Sequence, residues 1–99
     1  MKKTLLSIAA TIAITTSAQA VEKHNQQAIS SIFTNAGLEN TWAGTSNFWV
    51  KSNGYDKTTL EGFGYQMCAG TAGKNVGGYR ITFWHQLGHG EVARVWCSN

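Results

Sequence analysis

Two cysteines, Cys68 and Cys97, are the only ones in the chain, and they constrain its architecture more than any other feature. Two thiols allow one intramolecular pairing, which would tie the middle of the chain to a point two residues from its end. In an oxidising compartment that bond persists. The loop it closes is worth about 3–4 kcal/mol by the chain-entropy estimate. A small single domain is marginal without such a staple, so a structural disulfide between Cys68 and Cys97 is the first expectation.

The start of the chain indicates the compartment. Lys2 and Lys3 precede an apolar run, Leu5 to Ile14, and Ser17-Ala18-Gln19-Ala20 places small residues where a signal peptidase cuts. A bilayer span needs about 20 apolar residues, and Thr15, Thr16, Ser17 and Gln19 interrupt this one. Residues 1–20 are therefore expected to be a cleaved signal peptide, with no membrane anchor left afterwards. Residues 21–99 are expected to form a single small domain, periplasmic or secreted.

Removing the leader takes away two of the eight basic residues and lowers the formal charge from +3 to +1. The cations that remain are scattered (Lys23, Lys51, Lys57, Lys74, Arg80, Arg94). Nucleic-acid binding would want them clustered on one face, so no nucleic-acid partner is expected.

Two hydrophobic periods divide the rest. Ala28, Ile29, Ile32, Phe33 and Ala36 recur at the spacing of one helix face. Gly37 follows where a left-handed cap is wanted, with Leu38 placed to fold back on the last turn. This predicts an amphipathic helix over 22–36. Beyond it, 41–52, 58–70, 78–86 and 91–97 are rich in β-branched and aromatic residues and are separated by turn material. The expected fold is α+β: one N-terminal helix packed on an antiparallel meander sheet of about four strands, with one disulfide.

The closing segment, "WHQLGHGEVARVWC" (84–97), predicts a β-hairpin turned by Leu87–Gly90. That register pairs Gln86 with Glu91 and Phe83 with Arg94. It puts Ile81, Phe83, His85, Val92, Arg94 and Trp96 on the helix-covered face, and Arg80, Thr82, Trp84, Gln86, Ala93, Val95 and Cys97 on the other. A slip of one residue would exchange the sets within a strand.

Chemical motifs are sparse. His85, His89 and Glu91 are the one cluster resembling metal ligands, but the spacing is His-Gln-Leu-Gly-His and Gly88 and Gly90 bracket His89. Zinc-protease helices need His-Glu-x-x-His, so no metal is expected. No Gly-x-Ser-x-Gly elbow is present, and a Cys–His pair is excluded if both thiols are bonded. "GFGYQMCAGTAG" (62–73) lacks the Lys-Ser/Thr of a phosphate loop. Alternating Gly62 and Gly64 fit a strand with one bare face, open to close packing. No cofactor is implied.

Four Trp, three Tyr and four Phe, all from Phe33 onward, exceed what so small a core can enclose. Partly exposed rings beside a few charges suit recognition. The function expected is non-enzymatic binding of a protein partner, such as an envelope enzyme or toxin, in an inhibitor or immunity-type role. Trp84, His85, His89, Glu91 and Trp49 are the candidate contact residues. Two alternatives are a glycan or cell-wall module using exposed Trp and Tyr, and a small hydrolase centred on His85 or His89.

Overall fold

The computed structural model describes residues 20–98. Of the expected leader, residues 1–20, all but Ala20 lie outside the described residues. Six elements follow in order: α1 (Lys23–Asn35), β1 (Asn40–Trp42), β2 (Asn47–Lys51), α2 (Lys57–Ala69), β3 (Tyr79–Gln86) and β4 (His89–Cys97). The class is α+β, with two helices on a four-stranded sheet of order β1-β2-β3-β4. Among the described residues no helix is long and apolar enough to cross a membrane.

α1 forms where the 3.6-residue period places it, and its end is chemically specified. Gly37 takes φ +83°, the Leu38 amide donates to the Phe33 carbonyl at 2.9 Å, and the Gly37 amide donates to Thr34 at 3.0 Å. These are the two bonds of a Schellman cap. Leu38, now buried, seals the last turn. Only Ile29 and Phe33 of the helix are buried, a narrower stripe than its pattern suggests, and Ile32 is left 47% exposed. Trp42 fastens the helix to β1, its indole N–H donating to the Gln26 carbonyl at 3.0 Å.

Two expectations are corrected. Residues 57–69 are a helix, not a strand. Asp56 caps it, its side chain accepting from the Thr59 amide at 2.9 Å. Leu60, Gly64 and Met67 are its buried face. Because a helix now separates β2 from β3, those strands run parallel (Phe48 opposite Ile81, Val50 opposite Phe83), while β1–β2 and β3–β4 are antiparallel. The sheet is mixed, since a parallel neighbour needs a crossover and α2 provides it.

Both helices cover the same sheet face. Phe33 of α1 packs on Phe48 and Phe83, with ring centroids 5.4 and 6.3 Å apart. Across the sheet, Phe48, Ile81 and Val95 form one buried row and Val50, Phe83 and Ala93 the next. Cys68 and Cys97 are disulfide-bonded, their Cα atoms 5.0 Å apart. Since Cys68 lies on α2, the bond clamps a helix to an edge strand and does not join two strands. The segment after α2 is held by buried Tyr79, whose hydroxyl donates to the Gly73 carbonyl at 3.0 Å.

Candidate functional site: the uncovered sheet face

The sheet face opposite the helices is not covered by any described element. Three cross-strand rows make it up. Asn47, Arg80 and Trp96 align in the first. Thr41, Trp49, Thr82 and Arg94 align in the second, and Lys51, Trp84 and Glu91 in the third. Strand alternation dictates this set, because the intervening residues Phe48 and Val50 of β2, Tyr79, Ile81 and Phe83 of β3, and Ala93, Val95 and Cys97 of β4 are buried. His85, the last residue of that parity in β3, is exposed beside the turn.

The hairpin that shapes the face differs from the sequence expectation. Its turn is the two residues Leu87-Gly88, with Gln86 opposite His89, Trp84 opposite Glu91 and Phe83 opposite Ala93. Gly88, at φ +82°, supplies the reversal. Val92 is then the extra residue of a bulge between the two registers. The change turns Ala93, Val95 and Cys97 inward and Arg94 and Trp96 outward, correcting their assigned faces. Trp84 is outward as expected. The disulfide agrees with this parity: Cys97, bonded to Cys68 of α2, points to the helix-covered side, and Val95 and Ala93 point the same way.

The bulge has a chemical consequence. Glu91 and Arg94, three residues apart, emerge on one face, and the guanidinium donates in a fork to the carboxylate (Nε to Oε2 3.1 Å, Nη2 to Oε1 2.6 Å). The Glu91 carboxylate holds the Arg94 guanidinium above its ordinary pKa. Lys51 approaches Glu39 at 3.8 Å.

Arg80 differs. Its Nε and Nη2 donate to Asn47 Oδ1 at 3.2 and 2.8 Å, and its guanidinium carbon lies 5.2 Å from the centre of the Trp96 ring. A neutral amide and an aromatic ring hold this cation, and among the described residues it forms no ion pair. Trp96 is 62% exposed.

The other two tryptophans form a packed pair. Trp49 and Trp84 meet edge to face at 5.3 Å. The turn closes over them, since a Cβ on Gly88 would stand 3.1 Å from the Trp49 ring. The Trp84 indole nitrogen is buried without a hydrogen-bond partner. Thr82, between Trp49 and Arg94 in its row, is only 3% exposed although it points outward.

His85, His89 and Glu91 are all exposed near the turn. Among the described residues no group of three or more His, Cys, Asp or Glu converges on a metal-sized site, and Glu91 is engaged by Arg94. The face thus gathers four of the candidates (Trp84, Trp49, His89 and Glu91) around the hairpin end, with His85 on the same strand. It adds Trp96, Arg80, Asn47 and Arg94, which sequence reasoning did not select. Compared with known proteins, the chain matches no family model, no curated protein and no solved structure.

Proposed function

We propose that the chain is an exported, disulfide-bonded binding domain, without catalytic activity of its own, that engages a protein partner through the uncovered sheet face. The observation that carries this reading is the face itself: an exposed tryptophan, Trp96, beside an unneutralised, pre-positioned arginine, with the half-buried Trp49–Trp84 pair next to them, on a sheet face that no described helix or strand covers. Trp and Arg dominate the energetics of protein interfaces. An arginine already held by Asn47 and Trp96 loses little freedom on meeting a carboxylate.

The arrangement favours protein over glycan. Sugar rings stack on unobstructed aromatic faces, whereas here Arg80 lies over Trp96 and the Trp49–Trp84 pair is edge to face beneath the turn. An inhibitor or immunity-type role in the periplasm or outside the cell fits a small rigid domain of this kind. In this reading the leader is cleaved after Ala20; Val21, the residue that would then begin the chain, is buried and its nitrogen donates to the Thr45 carbonyl at 3.2 Å.

The test is capture from a cell-envelope extract with the oxidised protein and with Trp96→Ala, followed by affinity measurement on the purified partner. A protein bound at least about tenfold more weakly by the variant supports the reading. Retention of glycan without protein would overturn it in favour of a cell-wall module.

A further inference from the structure

We propose that the groove between α1 and α2, on the opposite side of the sheet from the recognition face, binds an uncharged alkyl ligand. The proposal is independent of the protein-binding reading. α1 packs chiefly on β1 and α2 on β4, the two edge strands, so the helices share a sheet face without closing on each other. The space between them is a groove of about 310 Å³. Buried Phe33, Leu38 and Met67 form its floor, and half-buried Phe63, Gly70 and Ala72 form part of its wall.

Size, shape and charge define the ligand. The volume lies at the lower end for small-molecule sites, roughly that of ten water molecules at about 30 Å³ each, enough for a small ligand only. The lining follows α2 from Phe63 to its end, a run of about 10 Å at the rise of an α-helix, with one turn of α1 opposite. A groove lined along that length suits an extended chain. None of its lining side chains is ionisable near neutral pH, so a buried charge would go uncompensated at a cost of several kcal/mol. The rim carries Tyr55, Gln66 and Thr71, all exposed, which offer hydroxyl and amide groups to a neutral polar head. Ile32 and Tyr55 stand 47% and 45% exposed at the same rim, apolar surface that an occupant would cover.

The groove is tested on the oxidised protein by amide NMR titration with decanol. Saturable shifts at Phe63, Met67, Gly70 and Ala72 are expected. Ala36→Phe, placed at the exposed rim to fill the trough, should weaken binding at least about tenfold, and Ala72→Phe serves if that variant fails to fold. Trp96→Ala, on the other face, should leave decanol binding unchanged while still weakening partner capture, which separates the two sites. Unchanged affinity in a folded, filled variant overturns the proposal. So do shifts confined to residues 47–49, 80–84 and 96, or naphthol displacing decanol at lower concentration, which would reassign the groove to flat rings.

Discussion

Gly64 of α2 lies directly against Val95 of β4: a Cβ at position 64 would stand 2.7 Å from a Val95 methyl carbon and 2.9 Å from the Val95 Cβ. That approach lets the helix sit close enough for the Cys68–Cys97 bond one turn further on. Gly62, in the same helix, meets nothing within 4 Å. The two glycines should therefore respond oppositely to alanine. Gly64→Ala overpacks the helix–strand contact and should lose about 1–3 kcal/mol. Gly62→Ala should gain about 0.5–1 kcal/mol from helix propensity and reduced unfolded-state entropy. Urea midpoints decide it, and a stabilised Gly64→Ala would show that the contact yields without cost.

Replacing both cysteines with serine should lower stability by about 3–4 kcal/mol. The loss should be reproduced in the unsubstituted protein by reduction. An unchanged melting temperature after reduction would mean that the packing of Leu60, Gly64 and Met67 alone holds α2 in place.

The tryptophans of the uncovered face should separate by substitution. Trp84, packed on Trp49 beneath the Leu87-Gly88 turn, is part of the structure of the face, and Trp84→Ala should cost about 2 kcal/mol or more. Trp96 is mostly exposed, and Trp96→Ala should change stability by about 0.5 kcal/mol or less. Thermal melts compare them directly. If Trp96→Ala proved the more destabilising, its ring would have a structural role that the exposed geometry does not account for.

Tyr79 gives the fold an alkaline limit. Burial pushes its hydroxyl from the ordinary value near 10 up to about 12. The folded state therefore keeps the proton where an unfolded chain releases it. The stabilisation is complete below pH 10 and is lost as pH rises towards about 12. Tyr79→Phe should remove this pH dependence and also leave the Gly73 carbonyl without its donor, at about 1–2 kcal/mol. Denaturant midpoints between pH 9 and 12 for both proteins measure it. Parallel curves would show that Tyr79 does not set the limit.

Sequence reasoning located one helix and missed the other for the same physical reason, the reach of local signals. Over 22–36 the apolar period, Gly37 and Leu38 all agree, and the cap they specify forms. Over 57–69 two periods compete. Gly62 and Gly64 alternate with Phe63 and Tyr65 like a strand, while Leu60, Phe63, Gly64 and Met67 follow a helix with Asp56 as its cap. Glycine, threonine and aromatics tip local propensity away from helix, and packing of the glycine against Val95 reverses it.

What the amino-acid sequence determined by itself is the covalent and short-range part: the only possible disulfide, the first helix with its glycine stop, the apolar inward positions of β3 and the outward Trp84. The tertiary structure alone decided the rest. The parallel pairing of β2 with β3 exists because α2 carries the chain back across the sheet, a connection that no local pattern in β2 or β3 encodes. Trp96 joins Arg80 on the open face because a two-residue turn and a bulge at Val92 set the register. In a strand, side chains alternate every residue, so a single extra residue exchanges inside for outside. Only pairing with a neighbour, and the pull of Cys97 toward Cys68, selects between the two.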